Sequence, residues 1–502
     1  MSAEKPASFG TNRLDPPVIG VASSSASVIF EWVALVPLTI YLAQAGLSHR
    51  LVGRTALAGR VVASLFPRLG VLDGIATLLR QGPDYLDRAS SVSELHRTVW
   101  HVDFGSIFPC ANGAASMILT KHAIRTAVKI PIRINLRELL PEYVIKDDMA
   151  AEDEASTFPR ETTTNSNNNA NSKGFSRPQT LYILDCTIDE IGKPDGTSKA
   201  GRLIQRHLQA ATEAAVLLSL LGLCAPMILM GLYGTTMAFL ISAAFRVLRL
   251  TIQVTRPDGY LQSNEPSQNR ACMLAAVHEN ASTWYLYVGE RGVVDWLLNK
   301  SLLGRVDASA PIAALLRALA ALQLATMTYV AAQKGWDGVG LLVLVLAAWL
   351  LDAVAYSDDR LAKRWLRAEG VGIRAFACEF SGRVPMVGAV LALREGRVTS
   401  WMDGILAPAT RRDLWLEKLM QSYASTPGSE SSTASSSVGS SANRNVCPSV
   451  TQVTRQKLVW GPKDGKVAAD ADKEDRRWVE RNFALVRAAV DDINKHIRPS
   501  DV

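Results

Sequence analysis

The sequence predicts a membrane protein, mainly α, with about five transmembrane helices (one single span plus two helical hairpins) and cytosolic α/β segments between them. Three observations predict this class. Uncharged apolar runs of bilayer length recur along the chain. Lys and Arg gather beside those runs, as the positive-inside bias requires. Of the 502 residues, 48% are hydrophobic and 20% charged, and mean hydropathy is +0.10. That balance is too polar for a protein of spans alone and too rich in uncharged runs for a purely water-soluble one.

Taken in order, residues 1–27 are rich in Ser, Pro and Ala and read as disordered. Residues 28–47, VIFEWVALVPLTIYLAQAGL, match the roughly 20 helical residues a bilayer core demands. Pro37 would kink this first span, which membrane helices tolerate. The segment 48–210 reads as cytosolic α/β material. At about 100° per residue, Arg50, Arg54, Arg60 and Arg68 fall within roughly a third of a helical wheel. The 48–80 stretch is therefore either an interfacial amphipathic helix or a helix packed on a soluble domain. TVWHVDF, KIPIRINL and LYILDCTI read as strands, and the Asn/Thr-rich 150–178 as a disordered insert.

The strongest membrane signal is 213–252, where no charge occurs between Glu213 and Arg246. Gly231 and Gly234 around Tyr233 favour a transmembrane hairpin, and one long tilted helix is the alternative. Next, 253–310 reads as strand, turn, strand and helix (ACMLAAVH, ENAS, TWYLYVGE, RGVVDWLLNKSLL). A second transmembrane hairpin covers 311–356, with QKGWDG as its linker. The cytosolic segment 357–421 contains VGIRAFACEF and VPMVGAVLALREG, read as strands, and TRRDLWLEKLMQSY, read as a helix. Residues 422–472 read as a disordered Ser-rich linker and 473–497 as an amphipathic helix.

Counting Lys and Arg near each span end favours one orientation. Arg246, Arg249 and Arg256 follow the first hairpin, and Arg360, Lys363, Arg364 and Arg367 follow the second. The hairpin tips carry only Lys334. The N-terminus then lies outside or in a lumen and the C-terminus in the cytosol, in a membrane left open between the endomembrane system and the plasma membrane. Trp32, Tyr233, Tyr329 and Trp336 would form an aromatic belt at the outer interface. The sequons Asn280-Ala-Ser and Asn299-Lys-Ser would be cytosolic and unglycosylated.

Candidate chemistry is sparse. Arg317 and Asp352 lie inside the last two spans at similar depths, roughly 9 and 6 Å. They are expected as an intramembrane ion pair between antiparallel helices, functional or a structural lock. Ala314, Ala318, Ala321 and Ala325 offer a small-residue packing face. His96, His101 and Cys110 have no metal-ligand spacing. His278, Ser282 and Asp295 lack the elbow that would support a triad. The six Cys show no CxxC pair. No Walker A, GxGxxG, HExxH or kinase signature is present. Catalytic, cofactor-binding and metal sites are therefore assigned to no residue. The net charge of +7 reads as membrane orientation rather than nucleic-acid binding.

The stretch CMLAAVHENASTWYLYVGERGVVDWLLNKSL, with RVPMVGAVLAL and SWMDGILAPATRRDLW, resembles an uncharacterised group of multi-pass membrane proteins of filamentous fungi. The likeness covers about 210–420. It implies a fungal source and a membrane location, and it carries no site residue. The expected partners are the lipid bilayer, cytosolic proteins and a further copy of the chain. The expected function is a membrane-anchored scaffold or sensor, with a transporter or channel subunit and a lipid-modifying enzyme as alternatives.

Overall fold

A computed structural model describes residues 27–43, 48–62, 64–68, 70–82, 85, 96–132, 177–188, 199–257, 259–263, 270–300, 305–307, 310–333, 335–354, 356–394, 398–424 and 465–497. The chain divides into two compact units, one of residues 1–129 and 182–377 and one of 130–181 and 378–502. The readings of residues 1–26 and 150–176 as disordered, and that of the Ser-rich linker over 425–464, lie outside the described residues.

Five helices of the first unit pack together: α1 (Ser27–Ala43), α5 (Lys199–Leu229), α6 (Tyr233–Thr251), α8 (Ala310–Gln333) and α9 (Trp336–Val354). Three stretches are long and apolar enough to cross a membrane: Ala211–Leu229 in α5, Ala310–Gln333, and the stretch that opens with α9 and runs to Glu369. The other two expected spans differ for identifiable reasons. The helix α1 is only 17 residues long, and α6 carries Arg246 and Arg249 in its second half. The region 213–252 is a hairpin of two helices, α5 and α6, rather than one long helix, because Gly231 takes a φ of 76° at the turn.

The bundle is closely packed inside and apolar outside. Phe66, Leu220, Phe239, Met327, Leu341 and Leu344 fill one cluster. The helices α1 and α9 approach so closely that a Cβ added at Gly338 would stand 2.8 Å from the Ala34 Cβ. Small residues permit such backbone contact. On the outside, Trp32 (68% exposed), Leu218 (69%), Leu229 (69%), Leu250 (68%) and Trp349 (57%) face away from the bundle. Contiguous apolar surface of this kind is rare on proteins that meet only water.

The remaining elements of this unit are α2 (Ser48–Ala58), α3 (Val71–Gln81), α4 (Gly113–Arg125), α7 (Arg291–Leu298) and α10 (Asp358–Glu369), with the larger part of a seven-stranded sheet in the order β2-β1-β6-β7-β4-β9-β3. Its strands are β1 (Thr98–His101), β2 (Ile107–Pro109), β3 (Val128–Ile130), β4 (Gln179–Ile188), β6 (Arg270–Ala276), β7 (Thr283–Glu290) and β9 (Val371–Phe380). The sheet thus draws strands from all three polar segments of the sequence. Two short strands, β5 (Gln253–Thr255) and β8 (Arg305–Asp307), pair separately.

Antiparallel pairing of β6 with β7 runs from Arg270↔Glu290 to Ala275↔Tyr285. The β1 strand lies on the other side of β6, with Trp100 opposite Leu274. Alternation along β6 places Ala271, Met273 and Ala275 on one face. They pack there with Leu119, Val294 and Trp365 of α4, α7 and α10. Trp296 and Trp365 stack with ring centroids 4.5 Å apart.

The 48–80 stretch is two helices. Gly59 (φ 64°) and Gly70 (φ 85°) end one and precede the other. The first, α2, packs on α4 and α10, which is the soluble-domain reading, whereas α3 packs on α8 of the bundle. The four Arg therefore do not share one helix face.

In the second unit, the described helices are α11 (Arg383–Ala392), α12 (Thr410–Ala424) and α13 (Gly465–Ile497). VPMVGAVLALREG is not a strand as expected, since its core forms α11. A short run buried at every position looks alike as helix or strand in sequence. Here Met386, Val387, Ala389 and Val390 are all buried, and α11 packs along α13. Pro385 sits in the first turn of α11, where proline is tolerated.

Candidate functional site

One end of the bundle is charged and the other aromatic. The charged end brings together the start of the apolar part of α5, the last turns of α6 and α9, the first turns of α8, and residues 60–68. Glu213 of α5 accepts from Arg246 at 2.8 Å and pairs with Arg249 at 2.8 Å. Both guanidiniums are buried. Arg246 also donates to the Ser64 carbonyl at 3.3 Å, and Arg249 to the Val61 carbonyl at 3.4 Å. These bonds are what allows two cations to be buried around one carboxylate. Burial, and then the nearby Arg249, hold the Arg60 guanidinium below its ordinary value. The site thus holds more positive than negative charge.

The expected Arg317–Asp352 pair is corrected. Arg317 Nε lies 3.5 Å from Asp73 of α3, with both side chains open to solvent. Asp352 lies 3.7 Å from Arg68. The cause is that α3 and the 60–68 segment pack into this end of the bundle and supply nearer partners to each. The exposed Arg317–Asp73 contact contributes at most about 1 kcal/mol. Asp352 is the more consequential member, because its side chain is largely buried.

At the aromatic end Asp337, in the first turn of α9, caps the start of α6. Its carboxylate accepts from the Gly234 N–H at 2.6 Å, the Thr235 N–H at 2.7 Å and the Thr235 hydroxyl at 2.6 Å. Trp32, Tyr233, Tyr329 and Trp336 stand at this same end, within a few residues of the Ala34–Gly338 and Gly234–Asp337 contacts.

Polar contacts hold together the helices beside the sheet, α2 and α10, and the chain that follows α6 and β5. Arg54 of α2 donates to Asp358 at 2.7 Å. Arg256 pairs with Glu369 at 2.6 Å and donates to the carbonyls of Ala56 and Leu57 at 3.1 and 2.8 Å. Under the sheet, the buried Tyr287 hydroxyl lies 2.7 Å from Thr120 Oγ1, and Arg97 donates to it at 3.3 Å. Burial pushes this phenol up to about 12.

The weaker sequence candidates are not brought together. His101 ends β1, whereas Cys110 bonds back to Arg97 at the strand's other end. The offset is roughly 13 Å at 3.3 Å per residue. Among the described residues no group of His, Cys, Asp and Glu could hold a metal ion. His278 and Ser282 precede β7, while Asp295 follows it in α7 and pairs with Arg291 at 3.4 Å. His278 Nδ1 accepts from the Asn280 N–H within its own turn.

Sequence reasoning missed the Glu213–Arg246–Arg249 triad and the Asp337 cap. The signals were present. Arg246 and Arg249, three apart, share a helix face, and a hairpin turning at Gly231 places them opposite Glu213. Asp337 sat inside what reads as a polar linker. Compared with protein-family models, curated proteins and solved structures, the chain matches none. The fungal resemblance of 210–420 has no counterpart in these comparisons.

Proposed function

We propose that the chain is a membrane-anchored scaffold or sensor, in which the five-helix bundle crosses the bilayer and holds the α/β sheet at the inner surface for a protein partner. The carrying observation is that the chain leaving the bundle runs straight into elements packed on the sheet: α9 is followed by α10, which Arg54–Asp358 ties to α2, and α6 is followed by β5 and Arg256, which pairs with Glu369 of α10, all within one unit. A sheet held so is displayed at a fixed height and orientation. Five spans are proposed although three helices qualify alone, because α1 and α6 pack lengthwise with them and share their outward apolar face. In this reading the N-terminus is outside, the aromatic end is the outer interface and the C-terminus is cytosolic.

The partner surface is a free edge of the sheet. The β2 strand forms one of the two edges, and Phe104 and Ile107 on the β1–β2 hairpin are exposed. An open edge with apolar side chains is a template for strand addition. The transporter reading is weaker, because the buried Asp337, Arg246 and Arg249 and the half-buried Glu213 of the helices are engaged in helix-to-helix and loop contacts.

Proximity labelling and co-purification from native membranes test this reading. Wild type should recover a recurrent cytosolic partner that Ile107→Asp loses while its thermal stability is retained. Equal recovery by both, or solute flux through the purified protein in liposomes, would overturn it.

A further inference from the structure

Beside Asp352 a cavity of about 280 Å³ runs between the C-terminal halves of α1 and α9, walled by Ile40, Phe66, Val345, Leu346 and Trp349. Its polar end is Arg68 and Asp352. A second hollow of about 80 Å³ shares those two residues and adds Arg54. A third shares Arg54 and adds Arg360 and Arg364. The shared lining residues set the three hollows side by side in one path, apolar at one end and basic at the other.

The charge along this path is unbalanced. Four Arg (54, 68, 360, 364) face two carboxylates, Asp352 and Asp358. Arg68 touches Asp352 only loosely at 3.7 Å, and Arg54 commits its Nε alone to Asp358. Arg360 and Arg364 are exposed and have no carboxylate partner among the described residues. Guanidinium groups with donors to spare are suited to phosphate oxygens.

We propose that this path binds one anionic phospholipid, with an acyl chain in the α1–α9 groove and the headgroup phosphate against Arg68, Arg54, Arg360 and Arg364. The groove selects a lipid over a free anion because Leu346 and Trp349 belong to the exposed outer surface of the bundle. It therefore opens sideways, where bilayer lipid would stand, and its polar end lies level with the charged end. Basic pockets beside transmembrane helices on the cytosolic side are a known physical solution for anionic headgroups. The proposal rests on the bundle being in a bilayer, and its test separates the two.

Full-length protein in detergent would be titrated by native mass spectrometry with phosphatidylserine and with phosphatidylcholine, with inorganic phosphate as competitor. The expected result is a single bound phosphatidylserine, preferred about tenfold or more, equivalent to about 1.4 kcal/mol. Leu346→Trp, which fills the groove, and the double change Arg360→Gln with Arg364→Gln should each remove the preference. All three side chains are exposed, so the thermal midpoint should be unchanged. Equal binding of both lipids, no effect of either variant, or full displacement by inorganic phosphate would overturn the proposal. Release of the protein from membranes by alkaline carbonate would instead overturn the membrane reading. Retention in membranes without lipid preference would fail the lipid proposal alone.

Discussion

Replacing Asp337 with Ala removes a side chain that reaches from α9 to the start of α6. Three bonds are lost, to the Gly234 N–H, the Thr235 N–H and the Thr235 hydroxyl, at 2.6, 2.7 and 2.6 Å. The hydroxyl keeps a partner, since it also donates to the residue-337 carbonyl at 3.0 Å. The net loss is therefore two helix N-terminal N–H bonds to a charged acceptor, at a buried position. Bonds to charged groups contribute about 1.5–3 kcal/mol each in soluble proteins, whereas interhelical bonds within membranes average about 0.6 and reach about 1.7. A charged acceptor that meets two backbone donors at a helix N-terminus belongs near the overlap of these ranges. The expected cost is about 2–4 kcal/mol in reversible unfolding by sodium dodecyl sulfate. Asp337→Asn keeps one oxygen acceptor and should lose roughly half as much. A loss below about 0.5 kcal/mol for the Ala variant, or equal losses for Ala and Asn, would refute the capping argument.

Gly289 has a φ of 130°, and a Cβ there would lie 1.9 Å from the Cys186 carbonyl oxygen of the neighbouring strand. Gly289→Ala should cost about 2–5 kcal/mol from backbone strain and overpacking together, read as a lowered thermal midpoint; an unchanged midpoint would contradict the described pairing. Burial raises the thiols of Cys110 and Cys186 above the ordinary cysteine value and pushes Cys378 up to about 12. These three should resist a thiol reagent at neutral pH until denaturant is added, and reaction in the native state would show that the sites open. The His122 hydrogen bond, followed by burial as an opposing influence and the charges of His122 and Arg125, leaves the Asp359 carboxyl below its ordinary value. A depressed carboxylate stabilises the fold at pH above the unfolded value of about 3.9 and loses that contribution as pH falls through the folded value. Asp359→Asn should therefore flatten the acid limb of a stability–pH curve, and an unaltered limb would sink the assignment.

Much of the architecture was legible because its signals are local. The apolar lengths of 213–252 and 311–356, each broken by a Gly-containing turn, announce two helical hairpins, and both form. ACMLAAVH and TWYLYVGE, joined by a polar turn, announce the β6–β7 hairpin. What failed was of two kinds. VPMVGAVLALREG is buried on every side, so no periodicity distinguishes its helix from a strand. The partners of Arg317 and Asp352 are decided by tertiary packing. The 60–68 segment and α3 enter the charged end of the bundle from nearly 300 residues upstream of Asp352, and no spacing rule reaches that far. The basic residues beside Asp352 are half visible in the sequence: Arg54 and Arg68 belong to one set of four Arg, whereas Arg360 and Arg364 read only as orientation markers.

The central claim is that the bundle crosses a bilayer, with its aromatic end on one side and the sheet on the other. Cysteine labelling with a membrane-impermeant maleimide tests it most directly, since the five described native cysteines are buried and Cys447 can be replaced by Ser. Trp336→Cys, at the start of α9, and Asn280→Cys, in the exposed β6–β7 turn, would be compared on intact, sealed cells or organelles. The account predicts labelling of residue 336 from one side of the membrane and of residue 280 only from the other, after permeabilisation. Labelling of both from the same side would show that the bundle does not separate them, and would contradict the account.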